Sequence, residues 1–353
     1  MNIGIAKEIK PFEGRVALSP TACIQLIAKG HTVYIERSAG VMSGYSDEDY
    51  LQTGVLLCES AWQLYDSCEL IVKVKEPLES EWRYLSAKHT LFCFLHLAAN
   101  RRLAEQLADI GLTAVAFESV SDNQCLPLLR PMSQIAGKIA VQTGATLLHQ
   151  QHGGSGVLMG GVSPSEHADI DNAQVLVLGA GSAGTQAALL ASNMGANVAV
   201  FDRSPMALRA LQRLNNKVEL IGDAPTCLER VPSTDLLVAA LLVPGKQAPH
   251  FITRAHIASM RKGSVAVDIS VDQGGCIETT RATTYENPTY ISEGVIHFCV
   301  ANMPGAVPRT ASQALSLVLP DYIHRLTLTN WFENDKIMQQ AVNIKDGKLL
   351  INI

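Results

Sequence analysis

No run of 18 or more apolar residues interrupts the 353-residue sequence, and its start, Met1-Asn2-Ile3-Gly4-Ile5-Ala6-Lys7-Glu8, carries no apolar export segment. Neither membrane spanning nor secretion is expected. Cysteine never occurs as Cys-x-x-Cys or near a histidine pair: the eight cysteines, at 23, 58, 68, 93, 125, 227, 276 and 299, stand singly, mostly inside apolar runs. They read as reduced core residues of a cytoplasmic protein, so neither a disulfide framework nor a metal site is expected. Blocks of like charge are missing too, and a net charge of −5 gives no reason to expect nucleic acid or an anionic membrane as a partner. Internal repeats and low-complexity tracts are also lacking.

What is present is ample core. Hydrophobic residues make up 47% of the chain and charged residues 17%, over a length too great for one ordinary core, so two domains are expected. The most informative stretch is Val175-Leu176-Val177-Leu178-Gly179-Ala180-Gly181-Ser182-Ala183-Gly184, which feeds the helix-forming run Thr185-Gln186-Ala187-Ala188-Leu189-Leu190-Ala191. A short apolar strand closed by Gly-x-Gly-x-x-Gly and followed by a helix is the start of a dinucleotide-binding unit. Gly179 permits the tight turn, Gly181 lets backbone approach a pyrophosphate, and Gly184 lets the helix pack on the strand. A second apolar run, Asn197 to Phe201, ends at Asp202, about where an acid that accepts from a ribose 2′-OH belongs. Asp202 would repel a 2′-phosphate, which indicates NAD; Arg203 beside it leaves some room for NADP.

Strand-like runs at 3–6, 32–36, 70–74, 90–95 and 113–117 alternate with helical spacing at 20–30, from about 47, and at 100–110. This pattern predicts a doubly wound parallel sheet that lacks a glycine fingerprint. A long helix is expected from Pro131 to about Gln151. The βα pattern resumes through the glycine strand, 235–242 and 264–272, and a helical segment follows at about 310–327. The fold class is therefore α/β: two doubly wound parallel-sheet domains with a cleft between them.

Ligands in such sheets lie beyond the carboxyl ends of strands, which singles out four charged residues. Arg15 follows the first strand and offers a planar fork to a carboxylate, or is an ordinary surface arginine. Lys75 ends the run Val72-Lys73-Val74-Lys75-Glu76-Pro77; alternation puts Lys73 and Lys75 on one face, with Lys75 able to hold a carbonyl oxygen and Lys73 open to a reading as a solvated neighbour. His96 follows the run 91–95 and can exchange a proton with a substrate oxygen, although a histidine there is often structural. Asp272 follows the strand Val265 to Val271 and precedes Gln273-Gly274-Gly275. It is a second acid/base, a partner for a cofactor ribose, or a turn aspartate. Together these describe a hydride-transfer enzyme acting on a small charged acid.

With Lys7-Glu8-Ile9, Arg15-Val16-Ala17-Leu18-Ser19-Pro20, Lys73-Val74-Lys75-Glu76-Pro77, Leu95-His96-Leu97-Ala98-Ala99, Pro131-Met132-Ser133, Val271-Asp272-Gln273-Gly274-Gly275 and Val300-Ala301-Asn302-Met303-Pro304-Gly305-Ala306-Val307-Pro308, the sequence resembles the alanine dehydrogenase family, relatives of the nucleotide-binding subunit of proton-translocating transhydrogenase. The resemblance implies NAD-dependent oxidative deamination of L-alanine to pyruvate and ammonium. Arg15 would bind the substrate carboxylate and Lys75 its carbonyl oxygen, with His96 and Asp272 as the acid/base pair and Phe94, Leu129 and Met132 near the methyl group. Around the dinucleotide it places Ser133, Ser182, Ala183, Asp202, Leu241, Leu242, Arg281, Asn302 and Met303 together with Gly179, Gly181 and Gly184, and beside them Ile269, Ser270, Val271, Val300 and Ala301. It also implies a cytoplasmic homo-oligomer, usually a hexamer, and a substrate domain of 1–129 plus 309–353 around a Rossmann-type NAD domain of 130–308. Gln134 and Ala207 depart from the family pattern, which commonly has Glu and a basic residue at these positions. Two alternatives remain: a transhydrogenase nucleotide-binding subunit, against which Pro131-Met132-Ser133-Gln134-Ile135-Ala136-Gly137-Lys138 argues, and an opine-type enzyme, which would need a larger pocket.

Overall fold

The computed structural model describes residues 1–123, 125–165, 168–170, 172–241 and 250–351. They form two compact units, Met1–Met132 with Gly305–Ile353, and Ser133–Pro304.

In chain order the strands are β1 (Asn2–Ile5), β2 (Thr32–Glu36), β3 (Leu56–Cys58), β4 (Leu70–Val72), β5 (Thr90–Cys93), β6 (Thr113–Ala116), the hairpin β7 (Val162–Ser165) and β8 (Ala168–Ile170), then β9 (Gln174–Leu178), β10 (Asn197–Phe201), β11 (Glu219–Ile221), β12 (Leu236–Ala239), β13 (Val265–Asp268), β14 (Thr289–Ser292) and β15 (Val295–Phe298), and finally β16 (Val342–Lys345) and β17 (Lys348–Leu349). The first unit's sheet runs β17-β16-β6-β5-β4-β1-β2-β3 and the second unit's runs β11-β10-β9-β12-β13-β15-β14. Within these two sheets pairing is parallel except where β14 meets β15 and where β16 meets β6 and β17. The first sheet thus contains the doubly wound order 3-2-1-4-5-6, and the parallel strands of the second follow the same order, with β15 sixth and the antiparallel β14 added beyond it. Each has a switch point where the chain, having grown the sheet in one direction from its first strand, returns to grow it in the other.

Strands covered on both faces read as near-continuous apolar runs, and β4, β6, β12, β13 and β15 are buried along their whole length, with Thr113, Asp268 and His297 as their polar members. The covering helices carry their own start and stop signals. Asn100 caps the helix Arg101–Ile110 by accepting from the Leu103 N–H, its core face is Leu103, Ala104 and Leu107, and Gly111 ends it in the left-handed conformation. The expected segment 310–327 is two helices, Pro308–Ser316 and Leu319–Leu326, each with a proline in its first turn. The added antiparallel edge β16–β17 has no counterpart in the sequence reading, and neither have β3, β7, β8, β11, β14 and β15. The local signal for the β16–β17 edge is Asp346-Gly347 between Ile344-Lys345 and Lys348-Leu349, both turn residues having positive φ (47° and 77°), as a tight hairpin turn requires. Seven of the eight cysteines are buried, Cys125 is exposed, and all eight are unpaired.

Candidate active site

The switch point of the first sheet lies between β1 and β4, and the segments leaving those two strands supply Arg15 and Lys75. Arg15 is only 2% exposed. Glu13 grips its guanidinium, taking Nε on Oε1 at 2.7 Å and Nη2 on Oε2, while Nη1 reaches Met132 Sδ at 3.2 Å. A two-pronged carboxylate contact fixes the plane of the arginine as well as its position. The loop is braced from the C-terminal part of the same unit, where Val16 N–H donates to Ser312 Oγ and Ser19 N–H to Ser316 Oγ, both at 2.8 Å.

Lys75 is buried, and burial followed by the charge of Arg15 lowers its pKa below the ordinary lysine value. Its neighbour corrects the sequence reading. Because β4 already ends at Val72, strand alternation does not govern residues 73–75, and Lys73 is a fully buried counter-ion instead of a solvated residue. Lys73 Nζ donates to Glu81 Oε1 at 2.6 Å and to the Lys7 carbonyl at 3.4 Å, and stands 3.6 Å from Glu8 Oε2. Burial opposes its charge, but Glu8, Tyr65 and Glu81 more than offset this and its pKa rises.

His96 lies beyond the end of β5, which stops at Cys93, and has left-handed backbone (φ 48°, ψ 37°). That conformation is unfavourable for histidine and needs holding from outside. Glu118, just past β6, does so: it accepts the N–H groups of Leu95 at 3.2 Å and His96 at 2.7 Å, and its Oε1 stands 3.8 Å from His96 Nδ1. The imidazole lies parallel to Phe94 (6°, centroids 6.0 Å apart), which is itself buried edge-on against Phe117. Leu129 and Met132, three apart in the helix Leu129–Leu147, share a helical face; Leu129 is half-buried and Met132 buried.

In the second unit the three glycines behave differently. A Cβ on Gly179 (φ 101°) would come within 2.7 Å of the Ala240 carbonyl oxygen, and one on Gly184 within 1.8 Å of the Gly179 carbonyl oxygen. Both are imposed by the protein packing on itself. At Gly181 an added Cβ meets nothing within 4 Å, and this residue precedes the helix Ser182–Asn193, whose first N–H groups have no side-chain cap. Open space beside uncapped N–H groups suits a phosphate, so the residues present fit a dinucleotide. Ser182 is exposed and Ala183 half-buried at this turn. Asp202 ties the glycine turn to the next helix, accepting Ala180 N–H on Oδ2 and Ser204 N–H on Oδ1, each at 2.7 Å.

Asp272 is also placed differently from the reading. β13 ends at Asp268, and Asp272 is exposed on the single 3₁₀ turn Val271–Gln273. Asp268 itself is fully buried, accepts Ser270 N–H at 3.0 Å and Thr280 Oγ1 at 2.8 Å, and is pushed by burial up to about 6. Ser270, Val271, Val300 and Met303 are buried; Ser133, Leu241, Ile269 and Asn302 are half-buried, and Ala301 is exposed. The exposed Arg281 lies with its guanidinium 4.3 Å from the Tyr290 ring centroid. Leu242 lies outside the described residues. Four acids that sequence reasoning did not single out, Glu8, Glu13, Glu118 and Asp268, hold backbone or charge around the candidate residues. An acid at or just beyond a strand's carboxyl end was a usable signal for the last two. Gly137 was missed too: a Cβ there would lie 2.1 Å from the Ala183 carbonyl oxygen, so its helix touches the first turn of the helix Ser182–Asn193, within the glycine motif.

Comparison with known proteins gives a family match in both halves. Residues 4–136 match the alanine dehydrogenase/PNT N-terminal domain and residues 140–352 the alanine dehydrogenase/PNT C-terminal domain. The alanine dehydrogenase of Halomonas elongata is 42% identical over 355 residues, spanning 99% of this chain and 94% of that protein. A solved L-alanine dehydrogenase is 44% identical with a TM-score of 0.93, covering 99% of this chain and 97% of its own. A transhydrogenase from Sinorhizobium meliloti is 25% identical with a TM-score of 0.84, covering 99% of each chain.

Proposed function

The chain belongs to the alanine dehydrogenase/PNT family, and from that premise we propose that it oxidatively deaminates L-alanine to pyruvate and ammonia, reversibly, with NAD as its nucleotide. It is an oxidoreductase of the alanine dehydrogenase kind, and its Rossmann-type fold implies a nucleotide cofactor. The observation that carries the assignment of roles is the pairing, at one switch point, of a buried arginine already oriented by Glu13 with a buried lysine that feels its charge. Identities of 42 and 44% to alanine dehydrogenases, against 25% to the transhydrogenase, support the dehydrogenase reading over the alternative.

Arg15 holds the substrate carboxylate, leaving Phe94, Leu129 and Met132 to face the methyl group. Lys75 donates to the oxygen on C2 of pyruvate and of the carbinolamine. Bound NAD would supply the acceptor for the hydride from the alanine Cα. Loss of the hydride and of one ammonium proton leaves an iminium, which takes up water as His96 and Asp272 remove a proton from it; the carbinolamine then gives up its hydroxyl proton as the same pair delivers one to the nitrogen, which departs as ammonia. Glu118 keeps His96 aimed by holding its backbone amide, and Glu13 prevents Arg15 from swinging to any other anion. Asp202, at the end of β10, accepts from the ribose 2′-OH and repels a 2′-phosphate. The resemblance extends the proposal to a homohexamer in the cytoplasm, a reducing compartment in keeping with eight unpaired cysteines.

The test is NADH oxidation followed by absorbance, with pyruvate plus ammonium set against glyoxylate, longer 2-oxo acids, and pyruvate plus an amino acid. Turnover that needs ammonium and is fastest with pyruvate is the expected result. Turnover needing an amino acid in place of ammonium would make it an opine-type enzyme, no turnover would refute the assignment, and equal rates with NADPH would remove the role given to Asp202.

A further inference from the structure

Three buried charges stand behind Lys75 that the mechanism above does not use: Glu8, Lys73 and Glu81. Glu8 is the one joined directly to the lysine's backbone. In the sheet, β1 pairs with β4 as far as Ile5 opposite Val72, with one further bond from Ala6 N–H to the Val72 carbonyl at 3.3 Å. There the two chains part, and the next amides of the β4 segment lose a backbone acceptor from β1. Glu8 supplies it: its Oε1 accepts Val74 N–H at 2.7 Å and Lys75 N–H at 3.2 Å. Its Oε2 faces Lys73 Nζ at 3.6 Å, and the ammonium of Lys73 is anchored in turn on Glu81. On the other side, Lys73 N–H still bonds to the Phe92 carbonyl and Phe94 N–H to the Val74 carbonyl. Residues 73–75 are therefore clamped from both sides after the strand has ended, by backbone on the β5 side and by one carboxylate on the β1 side.

We infer that Glu8 is a positioning residue for the reaction: gripping the Val74 and Lys75 amides, it sets where the Lys75 ammonium stands relative to the substrate carbonyl. The inference rests on the reading of Lys75 as the carbonyl-binding group. It differs from a purely charge-balancing role for Glu8 in what it requires of the side chain. Positioning needs an acceptor oxygen at glutamate's full reach and tolerates loss of charge. Charge balance needs the negative charge beside Lys73 and tolerates a shorter arm.

Two substitutions separate these requirements. Glu8→Gln keeps the acceptor at full length but removes the charge; Glu8→Asp keeps the charge but draws the acceptor back by one methylene. The expected kcat/KM for pyruvate falls about tenfold in Glu8→Gln, for a neutral acceptor in place of an ionised one. In Glu8→Asp it falls on the order of 10²-fold, the scale for a catalytic group misplaced by about 1 Å. NADH affinity, titrated by fluorescence on the same samples, stays at the parental value in both. The opposite order, with Glu8→Asp near the parent and Glu8→Gln impaired, overturns the inference in favour of charge balance. Two near-parental variants also overturn it, and so does a joint loss of turnover, NADH binding and thermal stability, which makes Glu8 a fold-wide residue. Lys75→Ala is measured beside them. If that variant keeps its pyruvate turnover, the assigned role of Lys75 is what has failed; if it is inactive while Glu8→Asp is not, only the inference about Glu8 has.

Discussion

Replacing Gly181 by alanine tests whether the glycine turn is built for a ligand or for the protein's own packing. The free protein should hardly register the change: an added Cβ at Gly181 meets nothing within 4 Å, and the backbone there (φ −73°, ψ −166°) suits any residue. Stability should be unchanged or slightly higher, by up to ~1 kcal/mol, because alanine has fewer unfolded conformations to lose. The bound state should register it strongly. The methyl group occupies the space through which a pyrophosphate approaches the N–H groups heading the helix Ser182–Asn193. Losing one charge-assisted hydrogen bond there costs about 1.5–3 kcal/mol. That corresponds to a Kd for NADH weaker by roughly 10- to 150-fold. The assay is NADH fluorescence titration beside a thermal melt, with Gly184→Ala as the contrast. At Gly184 the Cβ would lie 1.8 Å from the Gly179 carbonyl oxygen, so that variant should lose stability and NADH binding together. If Gly181→Ala binds NADH within about threefold of the parent, the phosphate is not bound at this turn and the reasoning fails.

His96→Ala should lower turnover by at least ~10²-fold with NADH affinity intact, the usual scale for removing an acid/base group; near-normal turnover excludes it from proton transfer. Gly137→Ala should weaken NADH binding and lower the melting temperature together, since relieving a Cβ to carbonyl oxygen distance of 2.1 Å requires the helix Leu129–Leu147 to move away from Ala183; an unchanged melt would show that the contact yields cheaply. Asp268 gives a pH dependence. Burial raises its pKa from 3.8 to about 6, so between those values the folded chain holds a proton that the unfolded chain has released. Its contribution to stability is therefore greatest at the acid end and lost as pH rises toward and through 6, and Asp268→Asn should flatten the decline in melting temperature between pH 5 and 7. An identical slope in the parent and the variant counts against a raised Asp268.

The α/β class, the central strands of both sheets with several of their helices, and the glycine turn were legible in the sequence because each is written locally. Continuous apolar runs such as Leu236–Ala239 mark strands covered on both faces, caps such as Asn100 and Gly111 bound helices, and glycine spacing marks a turn. Strand ends were less legible. The reading extended the strand before Asp272 to Val271 and the one before His96 to Leu95, whereas the strands end at Asp268 and Cys93 with one trailing backbone bond each, from Ile269 N–H and Phe94 N–H, since a buried segment stays apolar after its regular pairing has ended. Only the tertiary structure separated Lys73 from Lys75. The two share a spacing and a chemistry, but one meets Glu81 and Glu8 and the other stands near Arg15, which pattern within residues 72–77 cannot express. The same holds for Glu8 on the Val74 amide, 66 residues away, and for Glu118 on the His96 amide, 22 away. Apolar periodicity records how a residue faces its own element, whereas the partner of a buried charge is set by which loops the sheet order brings to one switch point. That order belongs to the folded chain.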